Sequence, residues 1–229
     1  MRLAVCFYGQ PRHYKFGYQS TEKLYKGCDL DYYMHLWGDE NDYSEISSFF
    51  DTKNIIVENQ VNEFKKINCD LDMSRTNKEL FLTLSPLYSM QRLHELIKKS
   101  KKEYDFWILT RTDIGTDGTF SLLDMNFNKN VIYSSYVTGN EWLVKYIDTK
   151  FIMCSKENML NLTNIYSDIE EYTCNQKIPM CHHHLFFNSL LKSGDEMEMI
   201  IGNLNDPFFG YQNYCGGWRW IRNNELSVV

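Results

Sequence analysis

The chain has 229 residues, enough for one α/β domain with a substantial core. A hydrophobic fraction of 43% with only 4 prolines excludes a disordered or collagen-like chain. The net charge of −6 opposes binding to nucleic acid or to an anionic membrane, and no apolar run is long enough for a transmembrane helix. We therefore expect a protein without transmembrane segments that makes at most peripheral contact with a membrane.

The 7 cysteines are odd in number and scattered, and no two of them form a C-x-x-C pair. This pattern indicates reduced thiols, with neither a disulfide framework nor a thiolate zinc site. The first apolar stretch is long enough for one strand but too short for a signal peptide. These features together predict a cytoplasmic protein.

The first predicted strand covers residues 2–8 (R-L-A-V-C-F-Y), and G-Q-P-R follows at its carboxyl end. Gly9 permits close approach of the backbone to a ligand, and Arg12 offers a planar fork that suits a phosphate or a carboxylate. An ion pair at a helix start would use the same arginine. Neither a G-x-G-x-x-G fingerprint nor a P-loop is present, so the common dinucleotide and nucleoside triphosphate motifs are excluded.

The next predicted elements are a helix over about 13–26 and strands over 31–37 and 54–58, followed by a loop-rich stretch over 59–78. His35 and Trp37 either flank a crevice at the end of their strand or belong to the core. Ser85 and Pro86 predict a helix start, with serine as the N-cap and proline at the first helical position.

The stretch Y-D-F-W-I-L-T-R-T-D contains the strongest functional signal. Residues 106–109 are apolar and aromatic, as in a strand that is buried on both faces, and Arg111 and Asp113 follow directly. In open α/β sheets, ligands bind at the carboxyl ends of the strands, so these two side chains are placed to hold a diphosphate or a ribose. A salt bridge that only closes the strand end is the structural alternative.

A further strand is predicted over 131–137. Asp148 then precedes a short strand and a helix from Ser155 to about Tyr172. A lone acid at this position could take a proton from an acceptor hydroxyl or could cap a turn. The C-H-H-H segment that ends at His184 opens an apolar run, and one imidazole together with Asp113 would suit Mn²⁺ or Mg²⁺ bridged by a diphosphate.

Strands alternate with helical segments through most of the chain, which predicts a single domain with a three-layer α/β/α fold and a mostly parallel, Rossmann-like sheet. We assign residues 1–204 to this domain. The tail over 205–229 is rich in Gly, aromatic and Arg residues and lacks regular periodicity. It is interpreted as part of the same domain, either a lid that closes on phosphate or a strap that covers an edge of the sheet.

Five blocks occur in an order that resembles small bacterial and viral glycosyltransferases of the GT-A fold: F-Y-G-Q-P-R, D-Y-Y-M-H-L-W-G-D, S-P-L-Y-S-M-Q-R, Y-D-F-W-I-L-T-R-T-D, and D-T-K-F-I-M-C-S followed by H-H-H-L-F-F-N-S-L. The resemblance covers about residues 2–192. It implies a nucleoside-diphosphate sugar donor with UDP or GDP, usually held with Mn²⁺ or Mg²⁺. R-T-D stands where the family has D-x-D, which leaves metal-independent binding open.

Carried over to this sequence, the resemblance assigns roles to seven residues. Three residues would contact the nucleotide, two would replace the D-x-D motif, one would lie near the acceptor, and one, or a neighbour, would lie at the metal: Gly9, Gln10 and Arg12; Arg111 and Asp113; Asp148; and His184.

The expected function is sugar transfer to a glycan, lipid-linked or protein acceptor. A sugar-phosphate nucleotidyltransferase and a non-catalytic carbohydrate-binding protein are the alternatives.

Overall fold

The computed structural model describes residues 1–67, 77–116, 121–134, 137–138, 146–147, 150–199, 218–222 and 225–227. The described helices are α1 (Tyr14–Thr21), α2 (Glu40–Phe49), α3 (Asn77–Lys99), α4 (Lys156–Thr163) and α5 (His182–Leu191). The described strands are β1 (Arg2–Gly9), β2 (Asp29–Trp37), β3 (Ile55–Glu58), β4 (Phe106–Thr110), β5 (Ile114–Thr116), β6 (Val131–Ser134), β7 (Val137–Thr138), β8 (Tyr146–Ile147), β9 (Phe151–Cys154), β10 (Glu196–Met199), β11 (Trp218–Arg222) and β12 (Glu225–Ser227).

The main sheet has 7 strands in the order β10-β6-β9-β4-β1-β2-β3. Strand β9 runs antiparallel to both of its neighbours, whereas the other paired strands are parallel. The predicted α/β fold with a mostly parallel sheet is therefore confirmed. Because β1, β2 and β4 are parallel neighbours, their carboxyl ends meet at one edge of the sheet.

Side chains alternate across β1 and enter two apolar layers, one on each face of the sheet. Ala4, Cys6 and Tyr8 belong to the layer that includes the buried side chains of α3, α4 and α5. Leu3, Val5 and Phe7 belong to the opposite layer, which contains Ile46 of α2 and Leu24 after α1. Each fully buried aliphatic side chain contributes roughly 1.5–3 kcal/mol. Burial on both faces explains why β1 and β4 are continuous apolar runs.

The helix predicted to start at Ser85 instead begins at Asn77, with Pro86 in its interior. That prediction was wrong because an interior proline, at about 3 kcal/mol, can be offset by packing. Leu84 and Leu87 are buried on either side of it. The proline removes the bond to the carbonyl of Leu82, a residue that is 57% exposed, so water can replace the missing donor.

Several other elements differ from expectation. Helix α2 was not predicted, although Asp39 caps it in a capping box with Asp42. The strand expected over 131–137 ends at Ser134, and β7 pairs with β8 in a separate two-stranded sheet. The tail was expected to lack regular structure, but β11 pairs with both β12 and β5.

The cysteines are not all reduced. Cys174 is disulfide-bonded, whereas the other cysteines that the structure describes, Cys6, Cys28, Cys154 and Cys181, are free. The expectation of seven reduced thiols was therefore wrong, and cysteine chemistry does not support the cytoplasmic prediction. In the part of the chain that the structure describes, no helix is both long and apolar enough to span a membrane.

Candidate functional site

Two loops meet at the carboxyl edge of the main sheet. Phe7 lies opposite Thr110, so β1 continues through Tyr8 and Gly9 beyond the end of β4. The hydroxyl of Thr112 donates a hydrogen bond to the carbonyl oxygen of Gln10 at 3.0 Å and lies 3.4 Å from that of Arg12. The predicted nucleotide loop, Gly9 to Arg12, is therefore attached directly to the turn that carries Arg111 and Asp113.

Arg111 and Asp113 form a bidentate ion pair. Nε of Arg111 donates to Oδ1 of Asp113 at 2.8 Å, and Nη2 donates to Oδ2 at 2.6 Å. The Asp113 side chain is 8% exposed and that of Arg111 is 26% exposed. Burial lowers the pKa of Arg111, but the hydrogen bonds and the charge of Asp113 outweigh burial and raise the pKa overall. The guanidinium therefore keeps its positive charge at this edge, next to the hydroxyl of Tyr8.

Gly17 on α1 fixes the position of this turn. A Cβ atom at residue 17 would overlap the backbone carbonyl oxygen of Thr112 and would also crowd that of Ile114. Only glycine lets the helix approach the turn so closely. Helix α1 therefore supports the Arg111–Asp113 pair through direct backbone contact.

The Gly9 turn is held by a buried hydrogen-bond chain. The backbone N–H of Gly9, whose φ is 96°, donates to the hydroxyl oxygen of Ser89 at 2.9 Å. That hydroxyl lies 2.7 Å from Nδ1 of His35, and Nε2 of His35 lies 3.0 Å from Glu58. Burial lowers the pKa of His35 to about 4 despite the opposing effect of Glu58, so the ring is neutral at pH 7. Nε2–H then donates to Glu58, and the hydroxyl proton of Ser89 is shared between Nδ1 and the backbone oxygen of His35, which lies 3.2 Å from the Ser89 hydroxyl.

His35 is therefore a core residue whose two ring nitrogens both have hydrogen-bond partners. Of the two possibilities that the sequence left open, the structure shows the core one. The side chain of Gln10 is also held by hydrogen bonds. Its Nε2 donates to Oε1 of Gln60 at 3.0 Å, and Nε2 of Gln60 donates to the hydroxyl oxygen of Ser85 on α3 at 2.8 Å. Arg12 is exposed. A well-anchored backbone thus presents one exposed cation and one paired cation on neighbouring strand ends.

Sequence reasoning missed three groups at this edge: Tyr8, Thr112 and Lys150. The hydroxyl of Thr110 donates to the backbone oxygen of Lys150 at 2.7 Å, and Lys150 is only 7% exposed. A lysine directly before the apolar strand β9 was the available signal. The sequence did not indicate a role for Thr112, because a threonine between two charged residues is compatible with many different structural roles.

A cavity of about 510 Å³ lies further along the same edge, at the ends of β2 and β3. Its lining is acidic and polar, and it includes Asp39, Tyr43, Glu58 and Asn59. Trp37 is buried beside it and stacks on Tyr88, with ring centroids 5.5 Å apart. The edge of the sheet therefore changes from cationic near Arg111 to acidic near Glu58.

Two predicted site residues, Asp148 and His184, belong to the second half of the chain. Asp148 lies outside the described residues. His184 lies in the first turn of α5, a helix that contacts β8, the strand that ends at Ile147.

The residues that the structure describes include no group of three or more His, Cys, Asp or Glu side chains able to hold a metal ion. Both carboxylate oxygens of Asp113 accept from Arg111. This donor set therefore does not fit a divalent cation, which prefers several oxygen ligands without a competing cation.

Comparison with known proteins gives a consistent result for the fold. No protein-family model matches the sequence, and a comparison with curated protein sequences finds no match. The galactosyltransferase LgtC, solved with donor and acceptor sugar analogues, superposes with a TM-score of 0.52 at 12% identity, over 88% of this chain and 73% of LgtC. An active-site mutant of LgtC gives a TM-score of 0.53 at 11% identity, over 96% of this chain and 86% of the other.

The apo form of the glycosyltransferase GlyE from Streptococcus pneumoniae TIGR4 gives a TM-score of 0.45 at 11% identity, over 86% of this chain and 44% of GlyE. The two LgtC structures match most of both chains. The chain therefore has the fold of GT-A glycosyltransferases, as the resemblance implied.

Proposed function

We propose that this protein transfers a sugar from a nucleoside-diphosphate donor to a glycan, lipid-linked or protein acceptor. One observation carries the proposal: the Thr112 hydroxyl binds the Gln10 carbonyl, which joins the Gly9–Arg12 loop to the Arg111–Asp113 turn at the carboxyl edge of the sheet. In open α/β folds, this edge is where ligands bind. The likeness in fold to LgtC, which was solved with donor and acceptor sugar analogues, supports a nucleotide sugar as the ligand class by analogy.

Negative charge develops on the diphosphate as the glycosidic bond breaks, so a fixed cation beside it lowers the barrier. Arg111 supplies this charge in our proposal, and Asp113 orients its guanidinium. Arg12, which is exposed, closes on the phosphates from the neighbouring strand end. Gly9 and Gln10 line the nucleotide in this proposal, with the backbone of Gly9 held by Ser89 and the side chain of Gln10 held by Gln60.

The acceptor hydroxyl must lose a proton during transfer, and we assign this proton to the carboxylate of Asp148. A divalent cation would add further positive charge at the diphosphate if it were bound. Because the Asp113 oxygens are engaged by Arg111, the proposal routes no step through a metal. We propose a role for His184 only in the case that a metal is bound, as a residue next to that metal.

Donor binding and transfer test these roles separately. We would measure the thermal shift caused by UDP, GDP and their sugars, with and without Mn²⁺, in the wild type and in Arg111→Lys, Arg12→Ala and Asp148→Asn. A ligand that binds only the native state raises the melting temperature by mass action. Arg111→Lys keeps the charge but loses the planar fork, and we expect it to weaken donor binding about tenfold or more.

We expect Arg12→Ala to weaken donor binding less, since its side chain is exposed, and Asp148→Asn to bind donor normally while losing transfer. If Arg111→Lys binds the donor as tightly as the wild type does, the assignment of Arg111 is refuted. Normal transfer by Asp148→Asn would remove the proposed base.

Binding without transfer is the second candidate, favoured by the closed pair between Arg111 and Asp113. A guanidinium that is already matched by a carboxylate has less to gain from a phosphate. Slow hydrolysis of a bound donor sugar in the absence of acceptor distinguishes the two functions. Such hydrolysis supports an enzyme, whereas binding of the sugar without binding of the nucleoside diphosphate, and with no hydrolysis and no transfer, supports a carbohydrate-binding protein.

A further inference from the structure

Strand β9 brings a lysine to the carboxyl edge of the sheet, next to Arg111. Because β9 is antiparallel to β4, its first residue, Phe151, pairs with Thr110, the last residue of β4. One step further along the pairing, Lys150 lies beside Arg111. The hydroxyl of Thr110 donates to the backbone oxygen of Lys150 at 2.7 Å, which fixes the position of this lysine at the end of the strand.

The side chains of Arg111 and Lys150 are directed to the same face of the sheet. Phe151 and Ile152 belong to opposite apolar layers, so alternation along the chain places residue 150 on the face of Ile152, the face that packs against α3, α4 and α5. Tyr8 belongs to the same layer, and its hydroxyl acts on the pKa of Arg111. The arginine is therefore on that face too.

Two cations are thus largely buried side by side. Lys150 is 7% exposed, and the side chain of Arg111 is 26% exposed. Neighbouring strands lie about 4.8 Å apart, and like charges on adjacent strands repel each other. Burial strengthens this repulsion because little water screens it. Negative charge close to both cations offsets the cost of the arrangement.

The described residues at this edge carry more positive than negative charge. The ends of β1, β4 and β9 present the cations Arg12, Arg111 and Lys150, and the carboxylate that the structure describes among them is that of Asp113. Two positive charges are therefore in excess over this carboxylate. The diphosphate of a nucleotide sugar carries one negative charge on each phosphate group, so its charge matches the excess.

We propose that Lys150 is a donor-binding residue whose ammonium group contacts the diphosphate of the nucleotide sugar together with Arg111. This inference rests on the proposed function and adds one residue to its site. As the acceptor oxygen bonds to the sugar and its proton passes to the base, the electron pair of the broken glycosidic bond stays on the diphosphate oxygen. An adjacent ammonium group stabilises the charge that forms there.

Titration calorimetry with pyrophosphate, UDP, GDP and the sugars of both nucleotides tests this role in the wild type and in variants. Lys150→Met keeps an apolar stem of similar length but removes the charge. We expect it to weaken the binding of pyrophosphate and of the preferred nucleoside diphosphate about 10- to 100-fold, the effect of one hydrogen bond to a charged group. Lys150→Arg keeps the charge and should restore part of the affinity.

Lys156→Met is the matched control. Lys156 follows the other end of β9, and its Nζ donates to the backbone oxygen of Ser100 at 2.7 Å, so its charge lies at the opposite edge of the sheet. We expect this variant to bind pyrophosphate as the wild type does. Melting curves of all variants exclude loss of folding as the cause.

A second measurement needs no variant. Pyrophosphate should slow the reductive methylation of Lys150 in the wild type, as measured by mass spectrometry, and leave that of Lys156 unchanged. If Lys150 of the free protein is not methylated at all, its ammonium group is out of reach of a ligand and the inference is overturned.

Weaker binding of pyrophosphate and of the nucleoside diphosphate in Lys150→Met, with recovery in Lys150→Arg and no change in Lys156→Met, supports the inference. Equal affinity in Lys150→Met and the wild type, while Arg111→Lys has lost affinity, overturns it and leaves the proposed function intact. A loss confined to the nucleotide sugars, with pyrophosphate unaffected, assigns Lys150 to the sugar and also overturns it. If the wild type binds neither pyrophosphate nor any of the nucleotides, both proposals fail.

Discussion

Arg111 and Asp113 depend on each other at the level of single residues. Asp113 is nearly buried, and its carboxylate is stable there because both oxygens accept hydrogen bonds from Arg111. Removal of one member leaves a buried charge without its partner, which costs more than the pair itself contributes. The same two residues can therefore affect stability and ligand binding, and the two effects must be measured separately.

A double-mutant cycle separates them. We expect Arg111→Met to lower the free energy of unfolding by about 2–4 kcal/mol, because it strands the Asp113 carboxylate. Asp113→Asn removes that buried charge. The double variant should therefore lose about 1–2 kcal/mol less in free energy of unfolding than the two single variants lose together. Urea denaturation of the four proteins measures this coupling. Additive effects would mean that the pair is not coupled in solution.

The R-x-D pattern at the end of an apolar strand was enough to place both residues at the edge of the sheet. The pattern could not show that they pair with each other, because residues two apart in a turn can face the same or opposite sides. Thr112, which ties this turn to the Gly9 loop, was not predicted. Its partners are backbone carbonyls about 100 residues away, and such contacts leave no local signal.

At the level of elements, the site depends on how closely α1 approaches the turn after β4. Gly17 is the contact point, since any side chain there would meet the Thr112 carbonyl. Strand β5 continues from this turn and pairs with β11, so the turn is held on both sides. The geometry of the Arg111–Asp113 pair is therefore set by packing of elements as well as by its own hydrogen bonds.

Gly17→Ala tests this packing. Alanine favours helix over glycine by about 1 kcal/mol, so an exposed site would be stabilised. Here the overlap with Thr112 should dominate and destabilise the protein by about 1–3 kcal/mol. Gln19→Ala, an exposed change in the same helix, is the control. Chemical denaturation measures both variants, and a Gly17→Ala protein as stable as the wild type would show that the helix can move away from the turn.

Element boundaries were harder to predict than element types. The apolar strands β1, β2, β4 and β9 were identified because their burial is visible as runs of apolar residues. Helix α3 was placed too late because Pro86 was interpreted as a helix start, whereas buried leucines on both sides stabilise an interior proline. Helix α2 was missed because most of its residues are polar and Ile46 is the buried residue of the helix, so the sequence shows no apolar stripe there.

For the whole molecule, the antiparallel direction of β9 and the pairing of β11 with β5 depend on contacts between distant parts of the chain. A local pattern shows that a strand exists but not which strand it pairs with. The hydrogen-bond chain from Glu58 through His35 and Ser89 to Gly9 is another long-range feature, and it joins β1, β2, β3 and α3. Its protonation state therefore affects the stability of the whole fold.

We expect this chain to make stability depend on pH. His35 titrates near its ordinary pKa of about 6.5 when unfolded and at about 4 when folded, because burial penalises its charged form. Between these values the unfolded state binds more protons, so stability is complete above pH 6.5 and falls as the pH drops towards 4. The slope from His35 is at most roughly 1.4 kcal/mol per pH unit.

Urea denaturation at several pH values, in the wild type and in His35→Phe, measures this contribution. His94 also has a pKa lowered by burial, so the difference between the two proteins, rather than the wild-type curve, reports on His35. His35→Phe should be less stable at pH 7, because Ser89 and Glu58 each lose one hydrogen-bond partner, but its stability should decline less on acidification. Equal slopes in the two proteins would mean that His35 is able to take up a proton in the folded state, and that the chain from Glu58 to Gly9 opens more easily than its burial implies.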